Sequence, residues 1–338
     1  MKQFFKFAPL AILALTGVLV AQSTAPHYKQ VNKFTLGGNG FWDYLKFDPA
    51  ANRIFLAHND SILVVDASTG KKLGELPAKG SHGIALVQSL NRGFNTNGAA
   101  GTVSAFDLKT LKDIGEIKVG ENPDAIIYDP YSKHVIVMNG RSQQVMAIDP
   151  KTLKVTATVL LDGKLEFAAA DPGHLYVNVE NLSKLAVINT HTWKTEHEWT
   201  LGTCEEPSGL AIDRKRARLF AVCGNKVMVI VDAKTGKIIT TLPTGAGTDA
   251  ARYDAGLNLA FASNGGDATL TVVGQAKDGK YQVEENVPTQ RGARTMTLDP
   301  KTHKLFLATA ELGPPAPGQR RPTIQPGSFT MLVYAPEK

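Results

Sequence analysis

The stretch PDAIIYDP at residues 123–130 recurs along the chain, and this recurrence decides the fold. Each copy has a polar residue, a short apolar run, and Asp-Pro or a remnant of it. The seven copies lie at 42–49, 82–88, 123–130, 166–172, 208–214, 248–255 and 294–300. The intervals between their first polar residues are 39, 42, 42, 42, 41 and 45 residues. Repetition at this period predicts a repeat architecture rather than two unrelated domains.

Each unit also has the same order of apolar runs. A second run such as HVIVMN at 134–139 follows the first, and a third such as VMVIVD at 227–232 follows that. A turn such as DAKTGK at 232–237 then leads into a weaker fourth strand. Four short strands in 42 residues, without a helical period, are typical of a propeller blade. The sequence therefore predicts an all-β, seven-bladed β-propeller of four-stranded blades.

The two ends of the chain predict how the ring of blades closes. The last unit ends at Lys338 one strand short, and an additional strand, YKQVNKFTL at 28–36, precedes the first unit. We expect this N-terminal strand to complete the last blade, because a closed ring leaves no long sheet edge unpaired. Residues 24–338 are therefore predicted to form a single propeller domain.

Residues 1–23 are predicted to be a signal peptide outside the fold. Lys2 and Lys6 precede the apolar run APLAILALTGVLVA at 8–21, and small residues offer cleavage sites between positions 21 and 25. The alternative is an uncleaved membrane anchor, although the run is short for a spanning helix. Cleavage would give a periplasmic or secreted protein.

The formal charge of +6 is spread along the chain rather than clustered, which argues against a nucleic-acid partner.

The repeat units resemble the YVTN-type β-propeller repeat of the YncE-like group of exported bacterial proteins. The sequences IVMN at 136–139 and FASN at 261–264 approximate the Tyr-Val-Thr-Asn signature, which is nowhere matched in full. The resemblance covers nearly the whole chain after the signal segment. It implies the propeller fold and an export route, and it assigns no catalytic residue.

The first polar residue of each unit begins the innermost strand of its blade, so these residues are expected to surround one mouth of the central channel. We call them the mouth ring: Asp43, His82, Asp124, Glu166, Ser208, Asp249 and Arg294. Four carboxylates beside a histidine predict a site for a hard cation or a cationic ligand. The candidate metal ligands are Asp43, Asp124, Glu166 and Asp249. Arg294 weighs against a dense metal cage, and the alternative is that the ring only caps strands and lines a wet channel.

Other polar residues are predicted to lie on the same face. The ends of the second strands give a second ring: His58, Asn97, Asn139 and Asn264, with Cys223 and Thr309 in equivalent places. The alternative reading is that these asparagines form turns. Cys204 and Cys223 are expected at one end of blade five, where an exported chain would join them in a disulfide.

The last unit contains a proline-rich insertion, ELGPPAPGQRRPTIQPGSF at 311–329, between its second and third strands. Its five prolines preset an extended path. One hypothesis is a lid or docking arm that presents Arg320 and Arg321 to an anionic group. The other is a solvated insertion without a role.

These features favour a binding or scaffold module that uses its loop-rich, channel-mouth face for an unidentified protein or small molecule. The protein is expected to be a monomer and to need no cofactor, with a divalent cation as the alternative. A second hypothesis is an enzyme, such as a metal-dependent, lactonase-like hydrolase in which a metal activates water. A third is single-stranded nucleic-acid binding, which requires exposed aromatic residues beside basic ones.

Overall fold

The computed structural model describes Met1 and residues 25–319 and 321–337. Apart from Met1, the predicted signal segment 1–23 lies outside these residues. The described residues form thirty β-strands and two short 3-10 turns, Gln88–Leu90 and Glu180–Leu182. Within this part of the chain, no helix has the length and apolar character needed to cross a membrane.

The strands form seven four-stranded antiparallel sheets, which confirms the predicted seven-bladed β-propeller. Strand β1 (Tyr28–Thr35) precedes blade one, which contains β2 (Trp42–Asp48), β3 (Arg53–His58), β4 (Ser61–Asp66) and β5 (Lys72–Pro77). Blade two contains β6 (Ser81–Val87), β7 (Arg92–Asn97), β8 (Thr102–Asp107) and β9 (Asp113–Lys118), and blade three contains β10 (Pro123–Asp129), β11 (His134–Asn139), β12 (Gln144–Asp149) and β13 (Lys154–Leu160). Blade four contains β14 (Leu165–Asp171), β15 (His174–Val179), β16 (Lys184–Asn189) and β17 (Lys194–Thr200). Blade five has β18 (Pro207–Asp213), β19 (Arg218–Cys223), β20 (Val227–Asp232) and β21 (Ile238–Pro243); blade six has β22 (Thr248–Asp254), β23 (Leu259–Asn264), β24 (Thr269–Gln275) and β25 (Tyr281–Pro288); and blade seven has β26 (Thr295–Asp299), β27 (Lys304–Thr309) and β30 (Thr330–Pro336) together with β1.

Strand β1 closes the ring by pairing with β30, as the orphan N-terminal strand predicts. Seven residue pairs join the two strands, from Tyr28 opposite Pro336 to Thr35 opposite Thr330. Tyr28 is buried, and its ring packs edge-to-face against Phe261 of blade six at 5.1 Å. The first strand of the chain therefore holds the last blade together.

The hydrophobic core lies between neighbouring blades. The second and third strands of each blade are almost entirely buried and rich in Val, Ile, Leu and Phe, because both of their faces pack against adjacent sheets. Where β10 ends, Asp129 is fully buried and its Oδ1 accepts a hydrogen bond from the Tyr131 amide at 3.0 Å. The repeated Asp-Pro signal is therefore turn chemistry.

The described residues of the proline-rich insertion form a two-stranded hairpin. Its two strands are β28 (Leu312–Pro315) and β29 (Pro322–Ile324), in which Leu312 lies opposite Ile324. Both of these side chains pack against the core cluster shared by blades one and seven. The Gly327 amide donates a hydrogen bond to the Gly38 carbonyl at 2.9 Å, which fixes the base of the hairpin to the segment after β1.

Candidate binding cavity at the channel mouth

The innermost strands of blades one to six each contain a register shift at the mouth-ring residue. In blade one the pairing of β2 with β3 jumps from Trp42 to Leu45, and in blade three the pairing of β10 with β11 jumps from Pro123 to Ile126. A bulge of this kind changes the direction of a side chain and ends regular pairing. It leaves Asp43 and Asp124 free of the ladder and at the entrance of the channel.

All seven mouth-ring residues line one cavity of about 760 Å³, which we call the upper cavity. Side chains outside the ring complete its wall, among them Phe41, Lys164, Glu180, Glu206 and Arg321. The structure therefore brings the predicted ring together around a single concave space of the size that holds a small ligand.

The charged side chains of the ring are paired across blade boundaries. The Nδ1 atom of His82 lies 2.6 Å from Oδ2 of Asp43 and 3.7 Å from Oδ1 of Asp124. Arg294 lies between Asp249, at 3.1 Å, and Asp43, at 3.8 Å, and it also donates to the Trp42 carbonyl at 3.0 Å. Ser208 donates instead to the Thr248 carbonyl at 3.3 Å. The cations His82 and Arg294 thus join three carboxylates into one network.

A second group on the blade-four side centres on Lys164. Its Nζ lies 2.7 Å from Oε1 of Glu166 and also contacts Glu180. These two carboxylates raise the pKa of Lys164 against the lowering effect of burial. Lys164 is therefore a charged wall residue at neutral pH.

The network leaves carboxylate charge only partly compensated. Burial and the charge of Asp43 raise the pKa of Asp124, although His82 acts in the opposite direction. Burial and the charge of Asp124 likewise raise the pKa of Glu166, against the effect of Lys164. Burial would lower the pKa of His82, but its hydrogen bond to Asp43 and the charge of Asp124 raise it to about 9. His82 is consequently an imidazolium at neutral pH.

Two aromatic rings lie across the channel below the mouth ring. Tyr44 of blade one and Phe167 of blade four follow their mouth-ring residues directly, and their ring centroids are 5.1 Å apart. Tyr44 also lines the upper cavity, whereas both rings line a separate cavity of about 310 Å³ on the opposite side. We call the second space the lower cavity. The ring pair therefore lies between the two cavities, with Tyr44 facing both of them.

The second-ring residues His58, Asn97, Asn139 and Asn264 lie inside the blades and not at the upper cavity, where they were expected to join the mouth ring. All four side chains are buried, and none lines the upper cavity. Asn139 accepts a hydrogen bond from the Gly120 amide at 3.1 Å and donates to the Gln144 carbonyl at 3.0 Å. His58 stacks on Phe329 with centroids 4.1 Å apart. The three asparagines form hydrogen bonds inside their blades, whereas His58 packs on Phe329 and its buried Nε2 has no hydrogen-bond partner among the described residues. The equivalent place in blade four is Val179.

The hairpin lies at the rim of the upper cavity. Arg321, Pro322 and Ile324 are among its lining residues. The guanidinium of Arg321 lies 5.4 Å from the centre of the Phe41 ring, within the range of a cation–π contact. Arg321 therefore packs on the rim while remaining exposed to solvent, and Arg320 lies outside the described residues.

The three ring residues Asp43, His82 and Asp124 offer ligand atoms that all lie within 4.8 Å of one another. Their charge state does not suit a metal ion. Burial would lower the pKa of His82, but the two carboxylates raise it to about 9 without a metal, so a metal ion would have to displace that proton to bind the imidazole. Arg294 adds a permanent cation 3.8 Å from Asp43. This donor set is better matched to internal ion pairs than to a divalent cation.

The raised pKa values predict that the protein loses stability as the pH rises. Glu166 binds its proton in the folded chain up to a pKa of about 9, but releases it near 4.5 when unfolded. Between these values the folded state holds the extra proton, so each increase in pH favours unfolding. We expect Glu166→Gln to raise the unfolding free energy at pH 8 by about 1 kcal/mol or more, since one pKa unit corresponds to about 1.4 kcal/mol.

Urea unfolding at pH 5, 7 and 8.5 measures this effect. Glu198→Gln is the matched control, because it removes a lysine-paired carboxylate from an exposed outer strand. The benefit of Glu166→Gln should grow with pH and the control should show no such growth. A Glu166→Gln protein that is less stable than the original at pH 8.5 would contradict the assignment.

The comparisons with known proteins address the fold. No protein-family model and no curated protein sequence matches the chain. A solved structure described as "Structure of U3-55K" is similar to it with a TM-score of 0.74 and 8% sequence identity, over 92% of this chain and 99% of that one. The protein is thus a seven-bladed β-propeller, a class that commonly serves in binding or scaffolding. A likeness at this identity carries no function, and the YVTN-type resemblance stays a prediction.

Several residues of the upper cavity were not singled out in the sequence. Lys164 precedes its mouth-ring residue by two positions, and Glu180 belongs to a 3-10 turn in the place where other blades have a simple hairpin. Tyr44 and Phe167 read as ordinary core residues. A column-by-column comparison of the seven innermost strands would have identified both, since the same position holds Gly83, Ala125 and Gly209 in other blades.

Proposed function

We propose that this protein is a ligand-binding propeller whose upper cavity accepts a small molecule with a cationic group. The observation that carries this proposal is the concentration of carboxyl groups around one concave space. Six carboxylates line the cavity: Asp43, Asp124, Glu166, Glu180, Glu206 and Asp249. Four cations oppose them, counting the protonated His82: His82, Lys164, Arg294 and Arg321. The raised pKa values keep Glu166 protonated and Asp124 partly protonated near pH 7, so an entering cation can pair with carboxyl groups that ionise as it binds.

The electrostatic state of the empty cavity supports a cationic ligand. Mutual repulsion contributes to the raised pKa of Asp124, Glu166 and Asp249, since each has a neighbouring carboxylate among its causes. A cation placed between them relieves this repulsion and lowers the cost of ionising them. Binding should therefore release protons near neutral pH.

The apolar part of the wall indicates the rest of the ligand. Phe41 is 47% exposed at the rim, and Trp42, Tyr44 and Leu312 also line the cavity. Aromatic faces attract organic cations, and they attract quaternary or substituted ammonium groups in particular. We therefore favour an organic amine over a bare metal ion.

The metal-dependent hydrolase is not proposed, because the protonated His82 and the adjacent Arg294 oppose metal coordination at the candidate ligands. Single-stranded nucleic acid is not proposed either. Its phosphates would meet a carboxylate-rich cavity, and cationic grooves are what such ligands require.

We also propose that the protein acts in the periplasm or outside the cell. The apolar segment at 8–21 supports this, and so does the pairing of Cys204 with Cys223, whose sulfur atoms lie 2.06 Å apart. Disulfides persist in oxidising compartments. Detection of the chain in a periplasmic or culture-medium fraction, starting between residues 22 and 26, tests the proposal.

The test of the proposed function is calorimetric titration with spermidine, agmatine and tetramethylammonium, with citrate as the anionic comparison. At least one amine should bind saturably at pH 7 and release protons, while citrate should not bind in the upper cavity. Asp124→Asn and Glu166→Gln should each weaken binding at least about tenfold, the scale of one charge-assisted hydrogen bond. EDTA should have no effect.

Asp113→Asn is the matched control, because Asp113 is an exposed carboxylate on the outer strand of blade two. A further variant replaces residues 314–321 with two glycines, which removes the hairpin tip while keeping Leu312 and Ile324. It should change amine affinity with little change in melting temperature. Failure of every amine to bind, or equal binding by Asp124→Asn and the original chain, would refute the proposal.

A further inference from the structure

The lower cavity carries charge opposite in sign to that of the upper cavity. The relevant residues lie three positions after the mouth ring in each innermost strand. In five blades this position is neutral: Ala85, Ile127, Ala169, Ala211 and Thr297. In blades one and six it is Lys46 and Arg252, and both line the lower cavity. Two cationic side chains therefore line the channel at a strand position that uncharged residues occupy in the other five blades.

Neither cation has a carboxylate partner among residues 25–319 and 321–337. Lys46 makes no ion pair or side-chain hydrogen bond there. Arg252 donates to its neighbouring Ala251 carbonyl at 2.7 Å, and its guanidinium lies 5.1 Å from the centre of the Phe167 ring. By contrast, the buried Arg53 is paired with Asp48 at 2.8 Å. Enclosed charges usually have partners, because removal from water is costly without them.

The two side chains repel each other without being removed from water. Lys46 is exposed to the channel water and Arg252 is half-buried, yet the surrounding protein lowers the pKa of Lys46 to about 8, and repulsion from Arg252 adds to this effect. Burial also lowers the pKa of Arg252 to about 10. Tyr44 faces Arg252 from above as a neutral phenol, since burial and the carboxylates raise its pKa well above its ordinary value. Among the described residues, no carboxylate lines the lower cavity to balance the two cations.

We propose that the lower cavity is an anion site in which Lys46 and Arg252 together bind a compact, doubly charged oxyanion. The cavity measures about 310 Å³ and is closed above by the Tyr44–Phe167 ring pair. Its remaining wall is largely apolar, with Arg214 and Tyr128 also among the lining residues. An ion with two negative charges and oxygen acceptors matches two cations. This site is separate from the upper cavity and does not depend on its proposed ligand.

The experiment is calorimetric titration of the full chain with sulfate, inorganic phosphate and malonate at constant ionic strength and pH 7. We expect saturable binding of one ion per chain, and the three probes distinguish tetrahedral oxyanions from dicarboxylates. Lys46→Thr and Arg252→Thr introduce the residue that blade seven has at this position. Each should weaken binding at least about tenfold, and the double variant should abolish it.

Two controls separate this site from general ionic effects. Lys151→Thr removes an exposed lysine from a turn on the same side of the propeller and should leave binding unchanged. Asp124→Asn changes the upper cavity and should also leave it unchanged. Melting temperatures of Lys46→Thr and Arg252→Thr without anion should equal or exceed that of the original chain, because each variant removes an uncompensated charge.

A pH series with sulfate, whose charge is constant between pH 6 and 9.5, gives an independent reading. Affinity should fall as the pH rises above about 8, where free Lys46 loses its proton. Lys46→Arg should bind sulfate and lose most of this dependence. The proposal is overturned if none of the three anions binds saturably, or if Lys46→Thr and Arg252→Thr bind as the original chain does.

Discussion

A chain lacking residues 24–38 is expected to lose cooperative unfolding altogether. The deletion removes β1, which forms seven residue pairs with β30 and supplies the fourth strand of blade seven. It also removes Tyr28, which is 3% exposed and whose hydroxyl donates to the His303 carbonyl at 3.1 Å. A domain of this kind is stable by only about 5–15 kcal/mol in total. The loss of a whole strand and its packing is of that order.

The unpaired β30 should also cause association. Its sequence, TMLVYAP, is apolar, and without β1 its edge presents free amide and carbonyl groups. Chemical unfolding followed by tryptophan fluorescence, together with light scattering, measures both effects. A synthetic peptide of residues 26–37 added to the shortened chain should restore a cooperative transition, which separates strand closure from damage elsewhere. An unchanged midpoint and slope in the shortened chain would contradict closure by β1.

Removal of the bond between Cys204 and Cys223 should destabilise the protein by about 3 kcal/mol. The two residues are 19 positions apart, and the chain-entropy relation for a closed loop of that length gives this magnitude. Both side chains are buried in the core of blade five. The bond fixes the loop before β18 to the end of β19, where the Gly224 amide donates to the Glu205 carbonyl at 2.8 Å.

The measurement is urea unfolding of the double variant Cys204→Ala, Cys223→Ala. The original chain unfolded, reduced and kept in reductant is the matched control, because it lacks the bond but retains both sulfur atoms. The two should agree within about 1 kcal/mol, and the remainder reflects the volume lost in the alanine variant. Because Glu206 and Gly224 line the upper cavity, amine binding should weaken in both. Equal stability of reduced and oxidised chains would show that the loop is held by packing alone.

The fold was predictable from the sequence because its signals repeat. Seven copies of one pattern fix the blade count, and the missing last strand together with the additional first strand predicts the closure seen between β1 and β30. The mouth ring was predictable for the same reason. Residues in equivalent places of a ring must lie at equivalent heights, so Asp43, Asp124 and Asp249 had to approach one another.

The second ring shows where this reasoning ends. An asparagine at the end of a strand looks the same in a sequence whether it faces a ligand or a turn amide. Asn264 donates to Thr269 at 3.0 Å and to Thr271 at 2.9 Å inside its own blade. Only the coordinates show that these donors and acceptors are already occupied. The bulges that aim the mouth-ring side chains into the channel are invisible in the sequence as well.

The charge of the channel illustrates a different limit. Lys46 and Arg252 are separate in sequence, and each reads as an ordinary polar residue within a half-buried strand. Their significance depends on their meeting in one cavity and on the lack of carboxylates in its described wall, which are properties of the assembled ring. Lys164 and Glu180 became part of the upper cavity for a comparable reason, since a 3-10 turn brings Glu180 back to Lys164.

The contact between Tyr44 and Phe167 bears on whether a solute can pass through the channel. Two side chains, from blades one and four, meet at 5.1 Å and obstruct the axis of the ring. A solute at one mouth would have to pass this ring contact to reach the other, so we expect the upper and lower cavities to bind and release their proposed ligands independently.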